Sequence, residues 1–166
     1  MAFSASGQLL GVNLTEHSTT AKFAVGTITK GVDPTYGEAE FIYLVGVAST
    51  VAGSIVSYDA AGTLPFQSAL HTTELDKARP VAVAMAACVA AEYGWYQISG
   101  IASVTKADTV SFAAGAGLAG GSGLAIAVVS GLILNGALVA VVASAKTGVV
   151  TVRVMLNRPH GPSDVS

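Results

Sequence analysis

Side-chain catalysis needs a nucleophile, or a pair of acid–base groups, held within hydrogen-bond reach of the reacting atoms. Few residues of this 166-residue chain meet that need. Glu38 and Glu40 would point to one face of a strand, and Glu74 and Asp76 stand at the same spacing in a charged stretch. Paired carboxylates can act as general acid and base, but neither pair has a nucleophile or base to work with. Exposed acids on a solvated edge account for both. His17, His71 and His160 are scattered, with no second His, Cys or carboxylate at metal-ligand spacing, so each reads as a loop or surface histidine. Cys88 is alone, cannot form an internal disulfide, and reads as a small buried hydrophobe. The serines include no Gly-x-Ser-x-Gly elbow. Gly115-x-Gly117-x-x-Gly120 matches a dinucleotide fingerprint in form, but that motif needs a strand before it, a helix after it and an acid about 20 residues on. The residues after Gly120 are β-like, and the next acid is Asp164, so Gly115 to Gly123 reads as a flexible loop. The expectation is a chain with no catalytic residue, no cofactor and no metal site.

The elements that would carry such residues are short strands. Lys22 to Lys30, Glu40 to Val47 and Gly53 to Tyr58 are β-branched or aromatic runs, separated by the turn clusters Asp33-Pro34-Thr35-Tyr36-Gly37 and Asp59 to Gly62. Thr73 to Arg79 is a helical turn or a charged loop, and Pro80 stops it. Large residues at Val81, Val83 and Met85 alternate with Ala82, Ala84 and Ala86, a period of two that predicts a strand with a flat alanine face, fit to lie against a sheet or a subunit. Tyr93-Gly94-Trp95-Tyr96-Gln97-Ile98-Ser99-Gly100 predicts a turn followed by an aromatic strand with Trp95 and Ile98 on opposite faces, and Ile101 to Thr105 a further strand. Leu124 to Val129 and Leu138 to Ala143 are apolar runs with Asn135-Gly136 as a hairpin turn between them. Val150 to Leu156 alternates, with Thr151, Arg153 and Met155 opposite the valines, and Pro159 is expected to end it. The fold class expected is all-β, a compact sandwich or barrel of short strands with Gly-rich turns. An extended N-terminal arm (1–20) precedes a single domain (21–160), with a short tail (161–166).

Charge is what this sequence lacks. Charged residues make up 11% against a usual value of about 25%, and Thr109 to Ala145 carries none. The net charge of −2 argues against nucleic acid as a partner. A surface this poor in charge is expected to be hidden, in lipid or against other chains. A single membrane span over 124–143 has the right length, but Ser130-Gly131 and Asn135-Gly136 interrupt it and no basic cluster flanks it, so the expectation is no membrane. The start has no basic segment leading into an apolar one, so no secretory signal is expected. Tyr93, Trp95, Tyr96, Ile98 and Arg153 are the candidates for core or subunit interface.

Two stretches resemble a family. Ala90 to Gly100 is similar to the Tyr-Gly-Trp-x-Gln-x-x-Gly strand of many phage structural proteins, and it leads into Gly-rich turns of low charge. Val152-Arg153-Val154-Met155-Leu156-Asn157-Arg158-Pro159 is similar to the valine-rich strand and Asn-Arg-Pro ending of such chains. The chain thus resembles the head-decoration, or capsid cement, proteins of tailed bacteriophages over roughly residues 40 to 160. The resemblance implies a non-enzymatic homo-oligomer, a trimer by expectation, on the outer surface of the head. It would bind major capsid protein at subunit junctions and stabilise the shell. It also implies an arm that touches the shell, for which Phe3, Leu9, Leu10 and Leu14 are the candidates. A tail tube, head fibre or minor capsid protein is the alternative within the same resemblance.

Overall fold

A computed structural model describes residues 12–59, 65–72, 78–128, 133–144 and 150–162, and the backbone of 4–6. These residues form twelve strands and no helix. The strands are β1 (Ser4–Ser6), β2 (His17–Ser18), β3 (Ile28–Asp33), β4 (Gly37–Val45), β5 (Ile55–Tyr58), β6 (Ser68–Leu70), β7 (Val81–Ala84), β8 (Tyr93–Lys106), β9 (Ala119–Gly121), β10 (Leu124–Ile126), β11 (Asn135–Val139) and β12 (Val150–His160). The all-β expectation holds. The strands join in one sheet whose main path is β1-β3-β4-β8-β7-β5-β6, with β2, β10 and β12 also on β8 and β11 on β12. Every strand pairing is antiparallel except Ala125 of β10 against Lys106.

β8 is the strand on which the others converge. It is fourteen residues long and joins what the sequence divides at Gly100. β4 pairs with it up to Ser99, and β12 pairs with it from Ser99 onward. β8 is also sharply bent. Gly53 donates to the carbonyl of Ala84, whose strand partner is Tyr96, and its own carbonyl accepts from Thr105 N–H. On a straight strand Tyr96 and Thr105 would lie about 30 Å apart, too far for one residue to reach both sides. Gly100 sits at the bend with φ +86°, next to a register shift between Glu40 and Phe41. Only glycine fits there, since a Cβ would stand 2.6 Å from the Glu38 carbonyl.

Burial on both sides follows from the two-residue period. On β7, Val81 and Val83 enter a core with Ile55, Ala102, Val104, Val152, Val154 and Leu156. Ala82 and Ala84 face a second core with Tyr96, Ile98, Leu44 and Cys88, so the alanine face packs within its own chain, not against a subunit. Trp95 points the other way, into a third cluster with Phe41, Tyr43 and Leu14. Phe23, Tyr43 and Trp95 meet at centroid distances of 5.0 to 5.4 Å, the tilted and edge geometry that aromatic rings prefer.

Several local expectations are corrected by close packing. Gly94 is no turn. It is buried inside β8, with Cys88 Sγ 3.1 Å from where its Cβ would be. Asn135-Gly136 is not a hairpin but the start of β11, where Gly136 lies against the Asn157 carbonyl opposite an irregularity in β12. The tight hairpin is instead Ser122-Gly123 between β9 and β10, both residues at positive φ. Part of the expected Gly-rich loop is therefore strand. β12 runs through Pro159 to His160, because positive φ at Arg158 turns the buried Pro159 inward near the strand end. The strand expected at 22–30 begins only at Ile28. The 124–143 run is divided between β10 and β11, and no described helix is long and apolar enough to cross a membrane.

The arm is packed where it is described. β1 pairs with β3, β2 pairs with Tyr93 and Gly94, and Leu14 is core. Phe3, Leu9, Leu10 and residues 73–77 lie outside the described residues.

Gly37 separates strain from crowding: its φ is +81° with nothing within 4 Å of its Cβ position. Gly37→Ala is expected to cost about 1 kcal/mol, the left-handed backbone term alone. Gly100→Ala adds the clash and should cost at least ~3 kcal/mol. Urea unfolding midpoints of the two variants, compared with the parent, check the difference.

Candidate functional site

Ser57 of β5 and His71, just beyond β6, come together because β5 and β6 are antiparallel neighbours. Ser57 Oγ lies 2.6 Å from His71 Nδ1. That is half of a nucleophile–base arrangement. It has no access to a substrate: His71 and Ser57 are among the most buried residues of the chain. Gly120 of β9 lies flat on the imidazole, where a Cβ would stand 2.4 Å from Cδ2. The contact gives Ser57 Oγ and His71 Nδ1 a partner inside the core. It also corrects the surface part of the His71 reading: the residue lies in a loop just after β6, but it is buried. The sequence signal is weak, a Ser and a His fourteen positions apart with turn residues between.

A second buried polar group centres on Tyr96. Its hydroxyl and that of Ser68 are buried without a partner in hydrogen-bond geometry, although Ser68 and Cys88 lie close enough to interact with the phenol. Burial drives the Tyr96 phenol far above its ordinary value. Burial likewise pushes the Cys88 thiol up, with the Tyr96 contact opposing and Glu92 adding to the rise. A thiol held protonated in this way is a poor nucleophile.

The remaining candidates are in structural contacts. Glu40 is paired with Arg158 at 3.0 Å. His17 pairs with Glu92 at 2.9 Å on the surface. His160 Nδ1 is 2.9 Å from its neighbour's carbonyl. Among the described residues no three His, Cys, Asp or Glu converge on a metal position. Trp95, Tyr96 and Ile98 are core, with Trp95 and Ile98 on opposite faces as expected, and Tyr93 is half-buried beside them. Arg153 stands on the outer side of β12, its guanidinium 4.5 Å above the Tyr36 ring.

The feature that sequence reasoning missed is apolar and outward. Leu138 and Met155 are direct cross-strand partners on β11 and β12, and both are exposed. Val141 and Val142 come next along the chain, also exposed. A signal for it exists: Met155 falls on the Thr151 and Arg153 side of the β12 alternation, where a polar residue would be expected. What this face can do chemically is bury apolar area against another surface. Compared with family models, with curated proteins and with solved structures, the chain matches none.

The Tyr96 phenol predicts an alkaline limit. Its folded value lies above the unfolded 10.0, so the unfolded chain loses this proton first. Its contribution to stability is full below about pH 10 and falls as pH rises further. Tyr96→Phe is expected to flatten the fall in melting temperature above pH 10, and a parallel fall in both proteins would refute this. Cys88 should react with a thiol reagent only after unfolding, and stoichiometric labelling of the native protein at neutral pH would contradict its burial.

Proposed function

We propose that this chain is a structural protein of a tailed-bacteriophage virion. It decorates the outside of the icosahedral head and stabilises the shell by binding major capsid protein at subunit junctions. The observation that carries this reading is the exposed aliphatic face of β11 and β12 on a β-sheet body with so little charge. The resemblance of Ala90 to Gly100 and of Val152 to Pro159 to phage structural proteins gives that face its partner. The first stretch is the two-faced core of β8, and the second is β12, one of the strands that presents the face. A body whose cores are filled and whose polar pairs are buried suits a binding role better than chemistry.

The mechanism is mass action. A protein that binds the assembled shell and not its dissociated subunits stabilises the shell by its binding free energy. Repetition over many sites, and avidity from an oligomer, multiply a weak single contact.

Fractionated virions test the reading. The chain is expected in purified heads at a copy number that scales with the shell, and heads lacking it should release DNA at lower temperature. Recovery in purified tails would favour a tail-tube role instead, and absence from virions would overturn the proposal.

A further inference from the structure

We propose that the cavity at the bend of β8 binds one ring of a neutral saccharide. The inference does not rest on the virion reading, and the cavity includes neither Leu138 nor Met155. It measures about 200 Å³ and opens beside Gly53, the residue that bridges Ala84 and Thr105. Val83 and Met85 give it an apolar wall. Gln97 from the first half of β8, Ser103 from the second half, Thr151 of β12 and Thr15 of the arm supply its polar groups. The bend makes the site. On a straight strand Gln97 and Ser103 would stand about 20 Å apart, yet they line one cavity.

The polar groups of the cavity have bonding capacity to spare. Gln97 is 1% exposed, and its Nε2 donates to the Ser99 carbonyl at 2.9 Å. That bond orients the amide and leaves Oε1, which accepts from no described residue. The Ser103 and Thr151 hydroxyls bond to no described side chain or backbone group either. Such capacity is costly inside a closed core and useful at a ligand site. No described lining residue is charged, and Arg153, the register partner of Ser103, is held over Tyr36 outside the lining. An ion entering here would lose hydration with no opposite charge to meet it. A wholly apolar molecule would leave the amide oxygen and the hydroxyls unpaired. Ligand hydroxyls both donate and accept, so they reproduce the hydrogen bonds of the water they displace. The volume is that of roughly seven waters in the liquid, near the bulk of one six-membered sugar ring. The C–H face of such a ring suits Val83 and Met85.

Proton–nitrogen correlation spectra of the full chain, titrated with glucose, galactose and mannose, test this. Glucuronate and glucosamine serve as charged rings of the same size. At least one neutral sugar is expected to shift the Gln97 side-chain amide and the backbone amides of Ser103 and Thr151 saturably, with a dissociation constant on the order of 1 mM for so small a ligand. The charged rings should bind at least ~10-fold more weakly. Gln97 belongs to the packing, so the variants are Ser103→Ala and Thr151→Val at less buried positions. Both should keep the parent's circular dichroism and melting temperature, and each should weaken binding roughly three- to tenfold. A short neutral glycan of the sugar that binds separates two sources of the ring. Tighter binding than the free sugar assigns the site to a chain end, and equal or weaker binding assigns it to the free sugar. No saturable shift with any neutral ring or glycan would overturn the inference. So would charged rings that bind the parent as tightly, a result independent of the variants, or folded variants that bind as the parent does.

Discussion

The bend of β8 at Gly100 is the constraint on which the other elements depend. Before it, β8 carries β4 and β7; after it, β12 and the contact with Gly53. A straight strand would leave the two groups of partners far apart. With the bend, Gly53 bridges Ala84 and Thr105, and one sheet encloses apolar residues on both faces. The backbone at Gly100 is pressed against Glu38 and Ala39 of β4, so the bend is held by a neighbour and not by the glycine alone. The conformational freedom of glycine is necessary there, and the packing makes the geometry unique.

The same close approach explains how far the sequence is legible. Periodicity carries side-chain direction, and so the alternation of Val81 to Ala84, the opposite faces of Trp95 and Ile98, and the valine row of β12 can all be read from it. Glycine carries two meanings that sequence does not separate, conformational freedom and absence of bulk. Gly94 and Gly100 both read as breaks. Gly100 does adopt positive φ, yet the strand continues through it; Gly94 is simply where Cys88 packs. Asn135-Gly136 has the best hairpin chemistry in the chain, but Gly136 takes its positive φ to pass the Asn157 carbonyl. Ser122-Gly123, a weaker pair, makes the hairpin because β9 and β10 register on either side of it. Tertiary contacts override the local preference in both places.

Histidine shows the same limit for polar groups. The sequence places no partner near His71, and a lone histidine defaults to the surface. Its partner Ser57 is supplied by strand pairing between β5 and β6, a non-local event. Once paired, Nδ1 of the imidazole is buried at little net cost, because its hydrogen bond replaces one to water. The aromatic residues of β8, by contrast, need no partner to be placed: large apolar area fixes them in the core wherever the strand runs.

The surface follows from how completely the interior is used. β7 and the first half of β8 are buried on both sides, so most aliphatic side chains of those strands have a place within the chain. β11 and β12 lie beyond the main path and are covered on one side only, by the valine core. On their other side an ordinary soluble protein would place Lys, Glu or Thr. This one keeps Thr151 and Arg153 but places Leu138 and Met155 opposite each other. An aliphatic pair at cross-strand positions helps the isolated chain a little, through contact between the two side chains. A Thr or charged pair would do as well for the sheet and better for solubility. The choice of Leu and Met therefore adds little to the stability of the monomer and becomes favourable when water is removed from that face.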